Sequence, residues 1–447
     1  MLKYLFGTFL VFGMFFFVSV HSAMAATRTW DGGGSTNNWS DRFNWSLDTA
    51  PTTADIATFD ATSTKDATID ASFTTGVTTF NINSGYTGTI TQARSFTVSG
   101  VTTFAGAAIF NGSTDALTFT GAYTQTAGTF TGGNQTVTHT GAFAFSGVGA
   151  SYTASIGTTI FSSNFTHTAG TGTFSQASGA VNITGGSTRT FDFATSETFN
   201  NVTLNKTTAT SLTIASGDTM IVTGTSTLTD GNLTTGTWDA RGTTSWASTF
   251  DGGTGTLLLG GSATVTATLT SGNTAVNLSV TNTSATVNTS GTGTVAVGAL
   301  TMSAGTFNAN TATVTFSGAV ALSGGTYNAP TSGSGTTTFS STFDQSSNGV
   351  FVGGINAVTH TGAFTLSGPG ATYTATSGTT TFSAGFTHTA GTGTFTHNSG
   401  SVRFSGSAST TNVATTETFN NLELAKNGST LLTVSSGDTL VATGTLT

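Results

Sequence analysis

The sequence repeats itself, and this repetition limits the folds open to the chain more than any other feature. Residues 139–174 return as residues 360–395 with 27 identities in 36 positions. The copy continues through two ETFNN strings, where the spacing between the copies shortens by a single residue. Duplication on this scale is typical of stacked repeat architectures. We therefore assign a long duplication to about residues 119–227 and 339–447 of the 447-residue chain.

A shorter period of about 20–24 residues runs inside the long one, and periods in this range are typical of solenoids. Four-residue strings such as FTGA, HTGA and FSGA recur, each with a small residue two places after its first. Because the strings recur once per unit, we predict that their first residues stack as ladders in the core. The first-half set is Val98, Phe119, His139, Phe161 and Ile183, and the second-half set is Phe316, Phe339, His360, Phe382 and Phe404.

Within a unit, large residues, most of them apolar, alternate with small polar residues at a period of two. Val137, His139 and Phe143 share one side, whereas Thr138 and Thr140 share the other. This alternation predicts a strand with one buried face and one hydrated face.

A unit of about 21 residues cannot close its own core, so it must stack on its neighbours. The sequence therefore predicts an all-β fold, a parallel β-solenoid (β-helix) with one unit per coil. Roughly 18 to 20 coils, with strands about 4.8 Å apart, would form a rod on the order of 90 Å long. The alternative is an array of β-sandwich domains, which leaves the short period unexplained.

Composition supports strands and narrows the classes of partner. Threonine makes up about a quarter of the chain and phenylalanine contributes 35 residues, both of which favour strands. Charged residues are only 6%, and 10 basic against 18 acidic residues give a net charge of −8. Without a basic stripe, the chain is not expected to bind nucleic acid. The chain has no cysteine, so its stability must come from packing and backbone pairing.

The N-terminus carries the pattern of a secretory signal peptide. Lys3 precedes an apolar run of about 16 residues, and a small-x-small site ends at Ala25. We assign residues 1–25 to this peptide, with cleavage after Ala25, and we expect a secreted or cell-surface protein. The apolar run is short for a membrane span, and no membrane span is predicted in the mature chain.

Residues 26–70 are predicted to form an N-terminal cap, followed by β-solenoid repeats over residues 71–447. Trp30, Trp39 and Trp45 lie in this less repetitive, more charged segment. Because the end of a solenoid exposes sheet edges, these tryptophans are interpreted as buried cap residues. The alternative is that they stack on sugar rings.

A W-D-G-G-G-x-x-N-N-W-S-D-x-x-N-W motif, which starts at Trp30, and the Gly/Thr/Phe-rich coils resemble bacterial cell-surface β-solenoid proteins. Autotransporter passengers and filamentous-haemagglutinin-like adhesins are the familiar members of this group. The resemblance implies a surface-exposed rod with structural or adhesive work. Thr447 aligns with Thr227, in the middle of a unit, so we expect the sequence to be the front part of a longer protein.

Histidines are the first candidates for chemistry. His139 and His360 replace the phenylalanines of other units, and His167 and His388 occupy a second apolar column. A metal or acid–base site is one interpretation of these residues. Core histidines stacked between aromatic rings are the interpretation that we favour, because both columns recur with the long copy.

Carboxylates supply no unique acid–base pair. Asp218 and Glu197 recur as Asp438 and Glu417, and Asp192 with Arg189 has no counterpart in the second copy. A polysaccharide-active β-helix lyase or hydrolase, which would cluster such groups on one face, is kept as an alternative. A calcium site would have to use the acidic residues of the first coils, namely Asp31, Asp41, Asp48, Asp55 and Asp60. No cofactor or metal is predicted.

The outward side of the strands is rich in hydroxyl groups. One predicted row contains Thr120, Thr140, Ser162 and Thr184, and the other contains Ser317, Ser340, Thr361, Ser383 and Ser405. Such rows are also found in ice- or crystal-surface-binding proteins, which is a further alternative. The leading hypothesis is a secreted, non-catalytic structural or adhesive rod. Its expected partners are glycans, extracellular matrix or other copies of the chain.

Overall fold

The computed structural model describes residues 25–447 apart from residues 169 and 208. The predicted signal peptide therefore lies almost entirely outside the described residues. Across the described chain, no helix is long and apolar enough to cross a membrane. Helical structure there is confined to two short 3₁₀ turns, Arg42–Asn44 and Ser46–Asp48.

Short strands follow one another along the whole described chain. The first are β1 (Thr27–Thr29), β2 (Ile56–Phe59), β3 (Ala67–Ile69), β4 (Gly76–Val77), β5 (Thr79–Ile82), β6 (Thr89–Gln92), β7 (Phe96–Val98), β8 (Thr102–Phe104), β9 (Ile109–Asn111), β10 (Leu117–Phe119), β11 (Tyr123–Gln125), β12 (Thr129–Thr131), β13 (Val137–His139), β14 (Phe143–Phe145), β15 (Ser151–Thr153), β16 (Thr158–Phe161), β17 (Phe165–His167) and β18 (Thr173–Ser175). The middle strands are β19 (Ala180–Ile183), β20 (Arg189–Phe193), β21 (Ser196–Phe199), β22 (Asn201–Asn205), β23 (Ser211–Ile214), β24 (Thr219–Val222), β25 (Ser226–Leu233), β26 (Thr237–Ala240), β27 (Thr244–Trp246), β28 (Phe250–Gly252), β29 (Thr256–Leu259), β30 (Val265–Thr270), β31 (Asn277–Val280), β32 (Ala285–Ser290), β33 (Thr294–Val297), β34 (Leu300–Asn308), β35 (Thr313–Phe316) and β36 (Val320–Asn328). The last are β37 (Thr337–Phe339), β38 (Phe343–Gln345), β39 (Val350–Val352), β40 (Val358–His360), β41 (Phe364–Leu366), β42 (Thr372–Thr374), β43 (Thr379–Phe382), β44 (Phe386–His388), β45 (Thr394–Thr396), β46 (Ser401–Gly406), β47 (Ser409–Asn412), β48 (Thr416–Phe419), β49 (Asn421–Lys426), β50 (Leu432–Val434) and β51 (Thr439–Ala442).

Three strand positions make one coil, and each position belongs to one of three faces that run along the rod. In one coil, β10, β11 and β12 lie on faces 1, 2 and 3, and β13, β14 and β15 stack on them in the next. The pairings between these strands are parallel. The chain is thus an all-β parallel solenoid of about 18 coils. The predicted fold class is confirmed, and the β-sandwich alternative is excluded.

Most coils keep the predicted spacing, but Thr294 pairs with Thr313 over 19 residues and Phe165 pairs with Phe191 over 26. Phe119 pairs with His139, and His139 pairs with Phe161, so these coils fall within the predicted range. Ser226 pairs with Thr244, which makes that coil shorter than predicted. The reason is that β25 runs continuously from face 1 to face 2 and bends at Gly231, whose φ is +89°.

The small residue of each repeated string is required by the close approach of successive coils. A Cβ atom on Gly141 would lie 2.2 Å from the carbonyl oxygen of Gly121 in the preceding coil. Inside the coil, the large residues stack in parallel, as in the Tyr123–Phe143 and Phe143–Phe165 pairs, whose ring centroids are 5.4 Å and 4.9 Å apart. The string therefore combines one core position with one position that admits no bulky side chain.

The N-terminal end of the core is covered by a tryptophan cluster. Trp30, Trp39 and Trp45 are completely buried. The Trp39 ring lies 5.3 Å from that of Phe59 and edge-on to Trp45. The indole N–H of Trp45 donates to the Trp39 carbonyl oxygen, and that of Trp30 donates to the Lys65 carbonyl oxygen. These rings are not accessible to a sugar, and their position is that of a lid on the first coils.

Candidate functional site

The ten ladder residues named from the sequence lie in two continuous parallel ladders, and all of them are buried. Val98, Phe119, His139, Phe161 and Ile183 follow one another on face 1. Phe316, Phe339, His360, Phe382 and Phe404 follow one another on face 2. These positions form the interior of the rod and present no side chain to a ligand in solution.

His139 and His360 are enclosed by aromatic rings. The His139 ring stacks between Phe119 and Phe161, with centroid distances of 5.0 and 5.3 Å. His360 has the same arrangement in the second copy, between two phenylalanine rings at 4.7 and 5.1 Å. Each Nε2 atom forms one hydrogen bond across the core, from His139 to the Tyr152 hydroxyl at 2.7 Å and from His360 to the Tyr373 hydroxyl at 2.8 Å.

These two histidines are neutral near pH 7. Burial lowers the pKa of each to about 3, because a charged ring loses its hydration in the aromatic core. Both Nδ1 atoms are buried without a hydrogen-bond partner. An unpaired lone pair costs less than an unpaired N–H, so we assign the proton to Nε2, which donates to tyrosine. Residues held in this way do not act as acids or bases on a substrate.

A second pair of histidines meets carboxylates that the sequence did not connect with them. The Nδ1 atom of His167 lies 2.5 Å from Oε2 of Glu197, although 30 residues separate them. His388 and Glu417 repeat this contact at 2.5 Å. The signal in the sequence was that all four residues belong to the long duplication. Their contact could not be predicted from spacing, because it joins the end of a strand in one coil to a strand on another face of the next coil.

The His388–Glu417 contact joins two coils and occupies both nitrogens of the ring. The second nitrogen, Nε2, bonds to the Thr392 carbonyl oxygen at 2.7 Å. The hydrogen bond to Glu417 raises the pKa of His388 above its ordinary value of 6.5, and the Thr392 carbonyl adds to the shift. Because both ring nitrogens form hydrogen bonds, neither is free to act as a nucleophile or to bind a metal ion. The pair ties adjacent coils together at a corner of the rod.

Replacement of Glu417 by glutamine is expected to lower the pKa of His388. The carboxylate stabilises the protonated ring, and an amide cannot. The raised pKa also means that the pair contributes stability at low pH, which is lost as the pH rises through the pKa of the folded protein. NMR titration of the His388 ring protons in wild type and E417Q measures this shift. E423Q, which alters an exposed carboxylate beside Arg403, is the matched control. An unchanged His388 titration in E417Q would contradict the assignment.

Six of the other aspartates named above accept hydrogen bonds from backbone N–H groups. Asp218 and Asp438 accept hydrogen bonds from the N–H groups of Phe193 and Val413 in the preceding coil. In the first coils, Asp31, Asp41, Asp55 and Asp60 accept hydrogen bonds from nearby backbone N–H groups, and Asp55 also accepts one from Ala26. Within residues 25–447, apart from 169 and 208, no three His, Cys, Asp or Glu side chains are grouped to hold a metal ion.

The three described lysines are also engaged inside the rod. The Lys206 ammonium donates to three backbone carbonyl oxygens at 2.8 to 3.3 Å. Lys426, its copy, donates to two carbonyl oxygens and the Ser409 hydroxyl at 2.6 to 2.9 Å. Lys65 meets two glycine carbonyls and the Asn44 side chain in the cap. These ammonium groups fasten turns and leave little positive charge for the surface.

Hydroxyl groups dominate two matched patches of the outer surface. Strip 1 consists of the outward residues of β15 and β18 on face 3, which are Ser151, Thr153, Thr173 and Ser175. Strip 2 consists of the outward residues of β42 and β45, which are Thr372, Thr374, Thr394 and Thr396. Each strip is a grid of two rows and two columns without a charged side chain. The second strip is the duplicate of the first.

The hydroxyl rows predicted on the outward side of the strands lie one residue past the strand ends, where Thr120 follows β10 and Ser162 follows β16. The hydroxyl groups of Ser162 and Thr184 are 2.8 Å apart, and those of Ser383 and Ser405 are 3.0 Å apart. These contacts join successive coils along the rod. Part of the hydroxyl surface is therefore tied up in hydrogen bonds between coils, in contrast to the two strips on the sheet faces.

A groove of about 420 Å³ lies beside strip 1. It follows the corner between face 3 and face 1 over successive coils. Its walls are Gly112, Ser113, Thr114, Thr131, Gly133, Asn134 and Ile156. None of these residues is charged, and the glycines open the corner. The accessible lining of the groove is mostly apolar, and the exposed Ile156 side chain forms part of it.

The chain was compared with family models, curated proteins and solved structures. No family model, no curated protein and no solved structure matches the chain. The function therefore has to be argued from the surface of the rod itself.

Proposed function

We propose that the chain is an exported, non-catalytic β-solenoid rod that adheres to neutral polysaccharide. The observation that carries the proposal is the pair of matched hydroxyl strips, which present regular rows of Ser and Thr without charge. Polysaccharide recognition uses hydrogen bonds to many hydroxyl groups on an extended polymer. A stiff surface with evenly spaced hydroxyl groups provides such bonds at little cost in conformational entropy.

The distribution of charge supports a neutral partner. The lysines donate to carbonyl oxygens, and Arg241 pairs with Asp239 at 2.7 Å. Arg403 and Glu423 lie side by side on neighbouring strands, 3.4 Å apart. Because the three described lysines and these two arginines are engaged, and neither strip carries a charged side chain, the strips have little attraction for charged polymers.

The His–Glu pairs support a non-catalytic role. Catalysis of polysaccharide cleavage requires an acid and a base or nucleophile that reach the glycosidic bond. His388 has both nitrogens occupied, and His139 and His360 are enclosed in the core. The His–Glu pair occurs twice, which fits a clip between coils better than a single catalytic centre.

Retention of the purified protein on insoluble cellulose or chitin tests the proposal. We expect the protein to bind at least one of these polymers and the bound fraction to stay unchanged from low to high salt, because hydrogen bonds to neutral groups are not screened. Absence of retention on every neutral polysaccharide, or release by salt alone, would contradict the proposal. Release of reducing sugar would favour the enzyme, and thermal hysteresis without polysaccharide binding would favour ice binding.

A further inference from the structure

The two copies of the long duplication do not lie on the same face of the rod. Face 1 can be followed strand by strand from β13 through β16, β19, β22, β25, β27, β30, β32, β34, β36 and β39 to β42. The copy of β13 is β40, which contains His360 where β13 contains His139. β40 is absent from this series and lies on face 2, next along the chain after β39.

The second copy is therefore turned by one face relative to the first. β39 lies ten coils after β13 on face 1, and β40 follows one strand later. The duplicated unit thus equals ten coils and one strand, so each copied residue is rotated by a third of a turn. The same rotation moves β15, on face 3, to β42, on face 1.

This rotation turns one kind of surface toward two directions. Strip 1 faces outward from face 3, and strip 2 faces outward from face 1. At about 4.8 Å per coil, the two strips are about 50 Å apart along the rod. A straight polymer that lies flat on strip 1 runs along face 3 and does not reach strip 2. The duplication therefore yields two separate surfaces rather than one longer surface.

We propose that the rod bridges two neutral polysaccharide chains, one on each strip. This inference rests on the proposed function, and it adds that one rod has two polysaccharide-binding sites. Rows of hydroxyl groups recur about every 4.8 Å along the rod, close to the advance of one sugar in an extended chain. Two successive sugars of a chain lying parallel to the rod would therefore meet equivalent hydroxyl groups in the two rows of a strip. A single rod holding two such chains acts as a cross-link in a polysaccharide matrix.

The test removes hydroxyl groups from one strip at a time. T153V/T173V alters strip 1, and T374V/T394V alters strip 2. Valine is compatible with these outward positions, because β39 already has Val350 at the place of a copied threonine. The matched control is T97V/T118V, which changes outward threonines of face 1 outside both strips. Circular dichroism and urea unfolding check that each variant folds.

Soluble hydroxyethyl cellulose is the probe, and light scattering measures cross-linking while affinity electrophoresis measures binding. The wild type and T97V/T118V are expected to scatter strongly with the polymer. Each single-strip variant is expected to be retarded by the polymer but to lose the scattering signal, and the combination of both changes loses retardation as well.

Three outcomes would overturn the inference. If single-strip variants still cross-link, or if changes in one strip abolish all binding, the rod is not bivalent through these strips, although the proposed function stands. Scattering by the protein without polymer would assign the signal to self-association. If the wild type is retained by no neutral polysaccharide, the proposed function fails together with the inference.

Discussion

Acidification from about pH 7 to about pH 5 is expected to destabilise the rod by about 4 kcal/mol through two histidines. His139 and His360 are each buried between aromatic rings, and burial lowers the pKa of each to about 3. In the unfolded chain, a histidine titrates near its ordinary value of 6.5. Between these values, the unfolded chain binds protons that the folded chain excludes.

The direction of the effect follows from this difference in proton binding. Stability from the two neutral histidines is fully present above pH 6.5 and is lost as the pH falls toward 3. At about pH 5, each residue has lost about 2 kcal/mol, at 1.36 kcal/mol per pH unit. His388 acts in the opposite direction, because its raised pKa makes its pair with Glu417 more stable at low pH. A comparison with a variant therefore has to isolate the two core residues.

The variant that isolates the two core histidines replaces both His–Tyr contacts. H139F/Y152F/H360F/Y373F continues the phenylalanine ladders on either side and leaves no tyrosine hydroxyl without its partner. Urea unfolding followed by circular dichroism at the two pH values gives the free energies. We expect the wild type to lose about 4 kcal/mol more than the variant on acidification. Equal losses in the two proteins would show that the core histidines do not titrate on unfolding.

The coil and its core could be predicted because both depend on local pattern. The spacing of Phe119, His139 and Phe161 placed these residues in one ladder, and they pair in that register. A large apolar residue that recurs once per unit must occupy the same place in successive coils, and in a stack of coils that place is the core. The alternation with Thr138 also identified the outward side, since successive residues of a strand point in opposite directions.

The His–Glu pairs could not be predicted, because each pair joins different faces of two successive coils across a turn of the chain. His167 ends a strand on face 2, whereas Glu197 lies on face 3 in the next coil. Their contact depends on turn lengths between residues 168 and 196, and those lengths differ from coil to coil. The locations of the lysine ammonium groups were missed for the same reason, since the carbonyl oxygens around Lys206 come from a turn of the preceding coil.

The rotation between the two copies was hidden by the variable coil length. Because the units differ in length, the spacing between His139 and His360 fits ten coils, ten and a third, or eleven. Only the ladder that begins at β13 decides between them. The same uncertainty affected the hydroxyl rows, which look identical in the two halves of the sequence although they belong to different faces.

Replacement of Trp39 by alanine is expected to cost about 3–5 kcal/mol in the free energy of unfolding, as for other large aromatic residues in a core. The Trp39 ring is fully buried and lies within 5.6 Å of the rings of Trp45, Phe59, Phe73, Phe80 and Phe96. It therefore connects the cap to the first coils. Because each coil of a solenoid contacts only its neighbours, the loss should begin at this end.

Hydrogen exchange distinguishes this local effect from general destabilisation. In W39A, the amides of β2, β5 and β7 are expected to lose protection, whereas those of β40 and β43 keep it. F43A is the matched control, because Phe43 belongs to the same segment but is 48% exposed, with the Arg42 guanidinium 4.6 Å from the centre of its ring. Its expected cost is within about 1 kcal/mol. Unchanged exchange in β2 and β5 of W39A would mean that the first coils hold together without the tryptophan lid, and the capping role of residues 26–70 would then be wrong.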